Sequence, residues 1–306
     1  ARSPGFLSCI TALEFGVRAD AAEVYVPRAA AAARDEDAAE PQSESVYVPS
    51  APENAAPVLS APDKAATLTI NNDTDYDVDV AACLASDTHI LAEGDGPQVL
   101  VFHTHASESY TPDAAFPYTP TETERTTDTR YNVVRVGDEL CTALEKRGIE
   151  TLHIRSLFDT PTYAGSYDRS LAAVEQALEE NPSVKVVIDL HRDSILTDEG
   201  EAYKTSCTID GAETAQLMFV VGTDAGGLYH PDWRDNLNFV STLQYALNRA
   251  YPSLMRPVNL RTQRFDQHAS PGSLLVEVGS SGNTLPEALS AVRLFADVLA
   301  DEMTEA

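Results

Sequence analysis

From Val99 onward the apolar positions fall into two alternating rhythms. Val99-Leu100-Val101-Phe102 is a compact run of buried-strand type. Asn132 to Arg147 follows as a helix with Val133, Val136, Leu140 and Leu144 on one face, and Gly148 stands where a C-terminal cap belongs. Thr151 to Ile154 reads as the next strand, and Leu171, Val174 and Leu178 mark a second helix that stops at Asn181-Pro182. Val184 to Leu190 and Leu217 to Val221 are further apolar strands, Leu237 to Ala250 a third helix, and Ser273 to Val278 a last strand. Thr284-Leu285-Pro286-Glu287 then opens the final helix as a capping box with proline just inside. Strands apolar on both faces, alternating with helices, predict an α/β fold: a mostly parallel central sheet flanked by helices on both faces. In such sheets functional groups gather past the carboxyl ends of the strands, which says where to look.

The first part of the chain lacks this rhythm. Up to about residue 63 it is rich in Ala, Pro, Glu and Ser, with no period sustained long enough to build a core. Residues 1–63 are therefore read as a flexible linker and 64–306 as the catalytic domain. Within the linker, Glu23-Val24-Tyr25-Val26-Pro27 and Ser45-Val46-Tyr47-Val48-Pro49 form a near-repeat, read as two sticky spots on a tether. Phe6 to Leu13 is apolar but far shorter than the roughly 20 residues of a bilayer span. It fits the stub of an anchor or a loose segment. Thr67 to Ile70 reads as a short strand running into Asn71-Asn72-Asp73 turn chemistry.

Charge narrows the function by exclusion. A formal charge of -27 argues against nucleic acid as a partner and against an electrostatic grip on anionic lipid. Four widely separated cysteines, Cys9, Cys83, Cys141 and Cys207, make neither a disulfide scaffold nor a structural zinc knot.

Three strand ends carry chemistry: Phe102-His103-Thr104-His105-Ala106-Ser107-Glu108, Ile188-Asp189-Leu190-His191-Arg192-Asp193, and Leu275-Val276-Glu277-Val278-Gly279. His105 and Glu108, spaced H-x-x-E at a strand end, can converge on one cation, and His191 is the natural third ligand. Two His and one Glu around Zn2+ leave a fourth position for water, whose pKa zinc lowers to about 7 while polarising a substrate carbonyl. A carboxylate must still move the proton, and Glu277, an acid within an apolar strand, is the catalytic candidate. Each residue has a plainer alternative. His103 is an alternative ligand to His105, either histidine could bond only loop backbone, His191 could be a satisfied core histidine, and Glu277 could pair with Arg264. Arg192 and Arg264 flank the predicted site and are candidates to bind substrate carboxylates. His191-Arg192-Asp193 also matches the catalytic triplet of protein kinases, but no Gly-rich loop or D-F-G accompanies it.

Four strings, VLVFHTHASESY from Val99, YNVVRVGDEL from Tyr131, VVIDLHRD from Val186 and SPGSLLVEVGSSGNTLPEA from Ser270, closely resemble the stage II sporulation protein P family. The resemblance implies the fold of zinc-dependent N-acetylmuramoyl-L-alanine amidases, with a site logic also similar to that of zinc carboxypeptidases. It implies hydrolysis of the amide between muramic acid and the stem peptide of peptidoglycan, with endopeptidase activity on cross-links besides. It further implies an extracytoplasmic, membrane-anchored protein acting in engulfment alongside stage II sporulation proteins D and M. By position, His105 or His103 and His191 match the family's essential histidines, and Glu277 matches the amidase catalytic Glu. The amidases usually take their ligand Glu from the first helix; with only Asp128 near that point here, Glu108 is the expected third ligand.

Overall fold

A computed structural model describes residues 67–86, 88–121 and 124–304. The linker, the Phe6–Leu13 run and the near-repeat lie outside the described residues. Among the described residues nine strands run in chain order: β1 (Ile70–Asn72), β2 (Val99–Phe102), β3 (Thr151–His153), β4 (Val186–Asp193), β5 (Ser206–Ile209), β6 (Ala212–Ala215), β7 (Leu217–Gly222), β8 (Val258–Arg261) and β9 (Ser273–Ser280). The helices among the described residues are α1 (Val80–Ala85), α2 (Val133–Lys146), α3 (Ser166–Glu180), α4 (Trp233–Ala250) and α5 (Leu285–Thr304).

Seven strands make one sheet in the order β1-β8-β7-β9-β4-β2-β3, while β5 and β6 form a separate hairpin. All neighbours in the large sheet are parallel except β7 and β9. The sheet is therefore two parallel blocks joined back to back. β2, β4 and β9 deliver their carboxyl ends to one edge, as expected, whereas β7 and β8 deliver theirs to the opposite edge.

Side chains alternate across the sheet, and the two faces are covered differently. On one face Val99, Val101, Ile188, Leu190, Phe219 and Val276 pack with α2, α4 and α5 in the main core. On the other, Leu100, Phe102 and Val187 meet Val174 and Ala177 of α3, while Met218, Val220 and Leu275 meet Phe265 and Tyr167. Helices on both faces agree with the apolar pattern. Extending the alternation past the apolar residues places Asp189, His191 and Glu277 on the face that α3 covers.

Local chemistry explains where elements start and stop. The Asn132 side chain accepts from Val134 N–H at 3.0 Å and caps α2, and Gly148 adopts φ +85° beyond its end. The Glu287 carboxylate accepts from Thr284 N–H at 3.3 Å, the reciprocal half of a capping box. The first strand lies later than expected, at Ile70–Asn72, because Ile70 to Asn72 pair with Val258 to Leu260. The turn chemistry then starts one residue on, where Asn72 Oδ1 accepts from Thr74 N–H at 2.9 Å.

Candidate metal centre

β2 leaves the sheet at Phe102 and turns at once. Glu108 N–H donates to the His105 carbonyl at 3.0 Å, closing one turn that brings both side chains to the same side. The Glu108 carbonyl in turn accepts from Val133 N–H at 2.8 Å, fastening this turn to the start of α2. His191 arrives from β4, where it stands opposite Glu277 of β9 in the parallel ladder. The register shifts between His191 and Asp193, so the strand bends just beyond the histidine.

His105, Glu108 and His191 are thereby brought together, each buried, with one ligand atom from each within 4.8 Å of the others. His191 Nδ1 lies 3.2 Å from Glu108 Oε2, and His105 Nδ1 lies 3.7 Å from Glu108 Oε1. The other ring nitrogen of His191, Nε2, is 2.8 Å from Asp189 Oδ1. A histidine that turns one nitrogen to a carboxylate and the other to a shared point has the orientation metal sites use. His105 Nε2, His191 Nε2 and Glu277 Oε2 are buried without an aligned hydrogen-bond partner, so three polar atoms here lack the satisfaction that protein interiors normally provide. Two imidazoles, a carboxylate and orphaned polar atoms fit zinc.

The electrostatics follow from crowding charged groups out of water. Burial pushes the His105 imidazole down to about 3, against a smaller opposing pull from Glu108. Burial acts to raise the Glu108 carboxyl, but His191, Arg192 and Arg125 together hold it well below the usual carboxylate range. For His191 burial also opposes charge, yet the Asp189 and Glu108 carboxylates outweigh it and hold the imidazole well above its ordinary value. Glu277 is pushed up to about 8, chiefly by burial and then by Asp193. The carboxylates thus separate into an ionised one beside His191 and a proton-holding one a strand away, the division that acid–base chemistry uses.

The other expected residues have different placements. His103 points to the opposite face of the sheet, where Nδ1 meets the Leu190 carbonyl at 2.7 Å and Nε2 meets His153 Nε2 at 2.8 Å. With both nitrogens engaged there, His103 is not brought to the cluster as an alternative ligand. Arg192 is 3% exposed; its Nε donates to the Ser109 carbonyl at 2.9 Å and its Nη2 to the Glu124 carbonyl at 2.9 Å. It fastens the loops around Glu108 rather than offering a surface to substrate, because these carbonyls need a buried donor. Arg264 donates to the Tyr229 carbonyl at 3.2 Å, on the loop that leaves β7 at the far edge of the sheet. It does not pair with Glu277; the cation beside that acid is Arg256, 2.9 Å from Asp193 Oδ2.

Several residues escaped sequence reasoning. Asp189 carried a readable signal, an acid inside an apolar strand, identical in kind to the one that singled out Glu277. Tyr163 and Arg125 carried none, since both come from irregular loops. The Tyr163 ring stacks on His105 at 4.3 Å between centroids, and the Arg125 guanidinium lies over the Tyr163 ring at 5.2 Å. Arg125 also pairs with Asp159 at 3.0 Å and approaches Glu108 at 3.4 Å.

The comparisons with known proteins agree with the motifs. The family described as Stage II sporulation protein P (SpoIIP) matches residues 21–300. The Stage II sporulation protein P of Bacillus subtilis (strain 168) is 31% identical over 219 residues, 68% of this chain and 51% of that protein. This chain thus spans about half the length of the curated relative it matches. Among solved structures, the N-acetylmuramoyl-L-alanine amidase AmiC2 of Nostoc punctiforme is 11% identical at a TM-score of 0.37, covering 69% of this chain and 97% of its own. An N-acetylmuramoyl-L-alanine amidase of Clostridium difficile 630 is 12% identical at a TM-score of 0.39, covering 68% of this chain and 95% of its own. With a family match over most of its length and a relative at this identity, the chain belongs to the stage II sporulation protein P family.

Proposed function

We propose that the chain is a zinc-dependent peptidoglycan hydrolase acting in sporulation, an N-acetylmuramoyl-L-alanine amidase with endopeptidase activity on cross-links besides. The observation that carries this is the buried His105, Glu108 and His191 donor set with Glu277 beside His191 in the next strand. When bound, zinc supplies a Lewis acid at the scissile carbonyl. His105, Glu108 and His191 would hold the ion, with Asp189 beside the far nitrogen of the His191 ring. With a cation in place beside it the Glu277 carboxyl would give up the proton it keeps in the metal-free fold, and as a carboxylate it would take a proton from the attacking water and deliver it to the departing nitrogen. The amide plus one water becomes the lactyl carboxylate of muramic acid and the free amine of the first stem-peptide residue.

On this reading residues 64–306 form the catalytic domain and residues 1–63 its tether. The site of action is outside the cytoplasm, beside the peptidoglycan, with stage II sporulation proteins D and M as partners in engulfment. No helix among the described residues is long and apolar enough to cross a membrane.

The test is digestion of isolated sacculi by the purified chain, with and without a chelator, and by Glu277→Gln. Amidase action releases stem peptides with new amino termini, chelation and Glu277→Gln abolish the release, and zinc restores it to the chelated parent only. New amino termini solely within cross-links would make the chain an endopeptidase instead. Wall binding without any cleavage, unaltered in Glu277→Gln, would make it a scaffold and sink the hydrolase reading.

A further inference from the structure

Behind His191 a line of buried polar groups crosses four separate chain segments. His191 Nε2 lies 2.8 Å from Asp189 Oδ1, an ion-pair contact rather than an aligned hydrogen bond, and the same oxygen accepts from Thr104 N–H at 2.9 Å. Asp189 Oδ2 lies 2.8 Å from Thr104 Oγ1, and Thr104 Oγ1 lies 2.9 Å from Ser170 Oγ of α3. Ser170 Oγ then lies 2.7 Å from Asp266 Oδ2. Thr104 and Ser170 have no solvent exposure, and Asp189 and Asp266 are almost as deeply buried. Such a network is costly unless every member is satisfied.

Proton counting determines what Asp266 must be. The Asp189 carboxylate takes the Thr104 hydroxyl proton, so Thr104 Oγ1 has only lone pairs left for Ser170. Ser170 has a single proton, and it already faces Thr104 Oγ1 and the Ser166 carbonyl at 3.0 Å. An ionised Asp266 would draw the Ser170 proton to itself and leave the 2.9 Å contact between Ser170 and Thr104 without one, whereas a carboxylic acid there donates to Ser170 and closes the chain. Burial pushes Asp266 up to about 8, which agrees with the count.

Asp266 is held where this requires. The next residue, Gln267, accepts from Gly222 N–H at 2.6 Å and donates to the Val220 carbonyl at 2.7 Å, pinning the loop to β7. We propose that Asp266 is a positioning residue for the metal centre: through Ser170, Thr104 and Asp189 it fixes the His191 ring with Nε2 on Asp189 and Nδ1 toward Glu108. This rests on the zinc reading above. Asp266 touches no ligand, so its effect is on how well the ring is aimed, and the loss of outer partners of metal-bound histidines typically costs about 10–100-fold in affinity.

The test uses the full chain with Asp266→Asn, Asp266→Ala and Ser170→Ala, and reads Zn2+ affinity by competition with a chromophoric chelator. The His191 ring 15N–1H signals are followed in the metal-free protein alongside. Asp266→Asn keeps an N–H donor toward Ser170 and stays close to the parent in both readouts. Asp266→Ala and Ser170→Ala each weaken Zn2+ binding by about 10–100-fold and speed exchange of the His191 Nε2 proton while circular dichroism reports the parent fold. Parent-like affinity and ring signals in a folded Asp266→Ala overturn the proposal, as does Asp266→Asn behaving like Asp266→Ala. If the parent itself binds no Zn2+, the functional reading fails separately, and the His191 ring signals alone decide the relay. Should Asp266→Ala not fold, Ser170→Ala carries the same decision.

Discussion

At Glu277 burial and neighbouring charge act in the same direction. The side chain is out of water and near Asp193 and Glu108, so its carboxyl keeps a proton to about 8 against an ordinary 4.5. Between those values the folded, metal-free protein binds more protons than the unfolded chain, and stability falls as pH rises. Gln at this position has no proton to lose. The melting temperature of metal-free Glu277→Gln should therefore exceed the parent's by a margin that widens from pH 5 to pH 8. A margin constant with pH would show that Glu277 is not protonated in the fold. His191 gives the opposite dependence for metal. Its imidazole is held above its ordinary value between Asp189 and Glu108, and a metal must displace the proton that faces Glu108. Zn2+ affinity should climb with pH by about one logarithmic unit per pH unit between pH 6 and 8. A pH-independent affinity in chelator competition would contradict the assignment of His191 as a ligand.

Elements matter here through how closely they approach. α2 packs on the sheet face opposite the candidate metal cluster, and its Gly137 lies directly against two histidine rings there. A Cβ at Gly137 would meet His103 Nε2 and His153 Nε2, both at 2.7 Å, closer than real side-chain contacts run. The two rings cannot yield freely, because His103 is bonded to the Leu190 carbonyl and His153 Nδ1 to Asp138 at 3.1 Å. Gly137→Ala should cost about 1–3 kcal/mol in denaturant unfolding despite the helical preference of alanine. An unchanged midpoint would mean that α2 can lift off the sheet. The sequence left His103 and His105 interchangeable for a different reason. Both stand at the end of β2, and only strand alternation with the turn after Phe102 sends one to each face.

What could be read from the sequence at this scale follows a physical division. Val99–Phe102 and the helix capped by Asn132 sit at the expected boundaries, because uninterrupted apolar runs and caps act locally. β8 was not anticipated: Val258-Asn259-Leu260-Arg261 buries only alternate residues, and its identity as a strand depends on β1 and β7 on either side. The β5–β6 hairpin is half exposed, turning at Asp210-Gly211 with both residues at positive φ, and its composition gave little apolar signal.

Across the whole molecule, the distribution of chemistry depends on strand direction. A uniformly parallel sheet would have put every strand's carboxyl end on one edge, but the antiparallel β7–β9 pairing divides them. His105, His191 and Glu277 come from the block whose ends coincide, which is why three distant motifs converge. Arg264 lies on the loop against Gly222, at the end of β7, and that reversal carries it away from the cluster. Nothing in a single sequence marks the reversal, since β7 is as apolar as its parallel neighbours. The strongly acidic composition, with a formal charge of -27, likewise places no residue: the cations near the site, the buried Arg192 and the partly buried Arg256, are located by their own partners.

The most direct measurement is anomalous diffraction at the zinc edge from crystals of the chain grown with one equivalent of Zn2+. The predicted result is a single strong peak at about 2.0–2.2 Å from His105 nitrogen, Glu108 oxygen and His191 Nδ1, with the Glu277 carboxylate turned toward its open side. No peak among these residues, or zinc bound elsewhere while His191 stays locked between Asp189 and Glu108, would contradict the account.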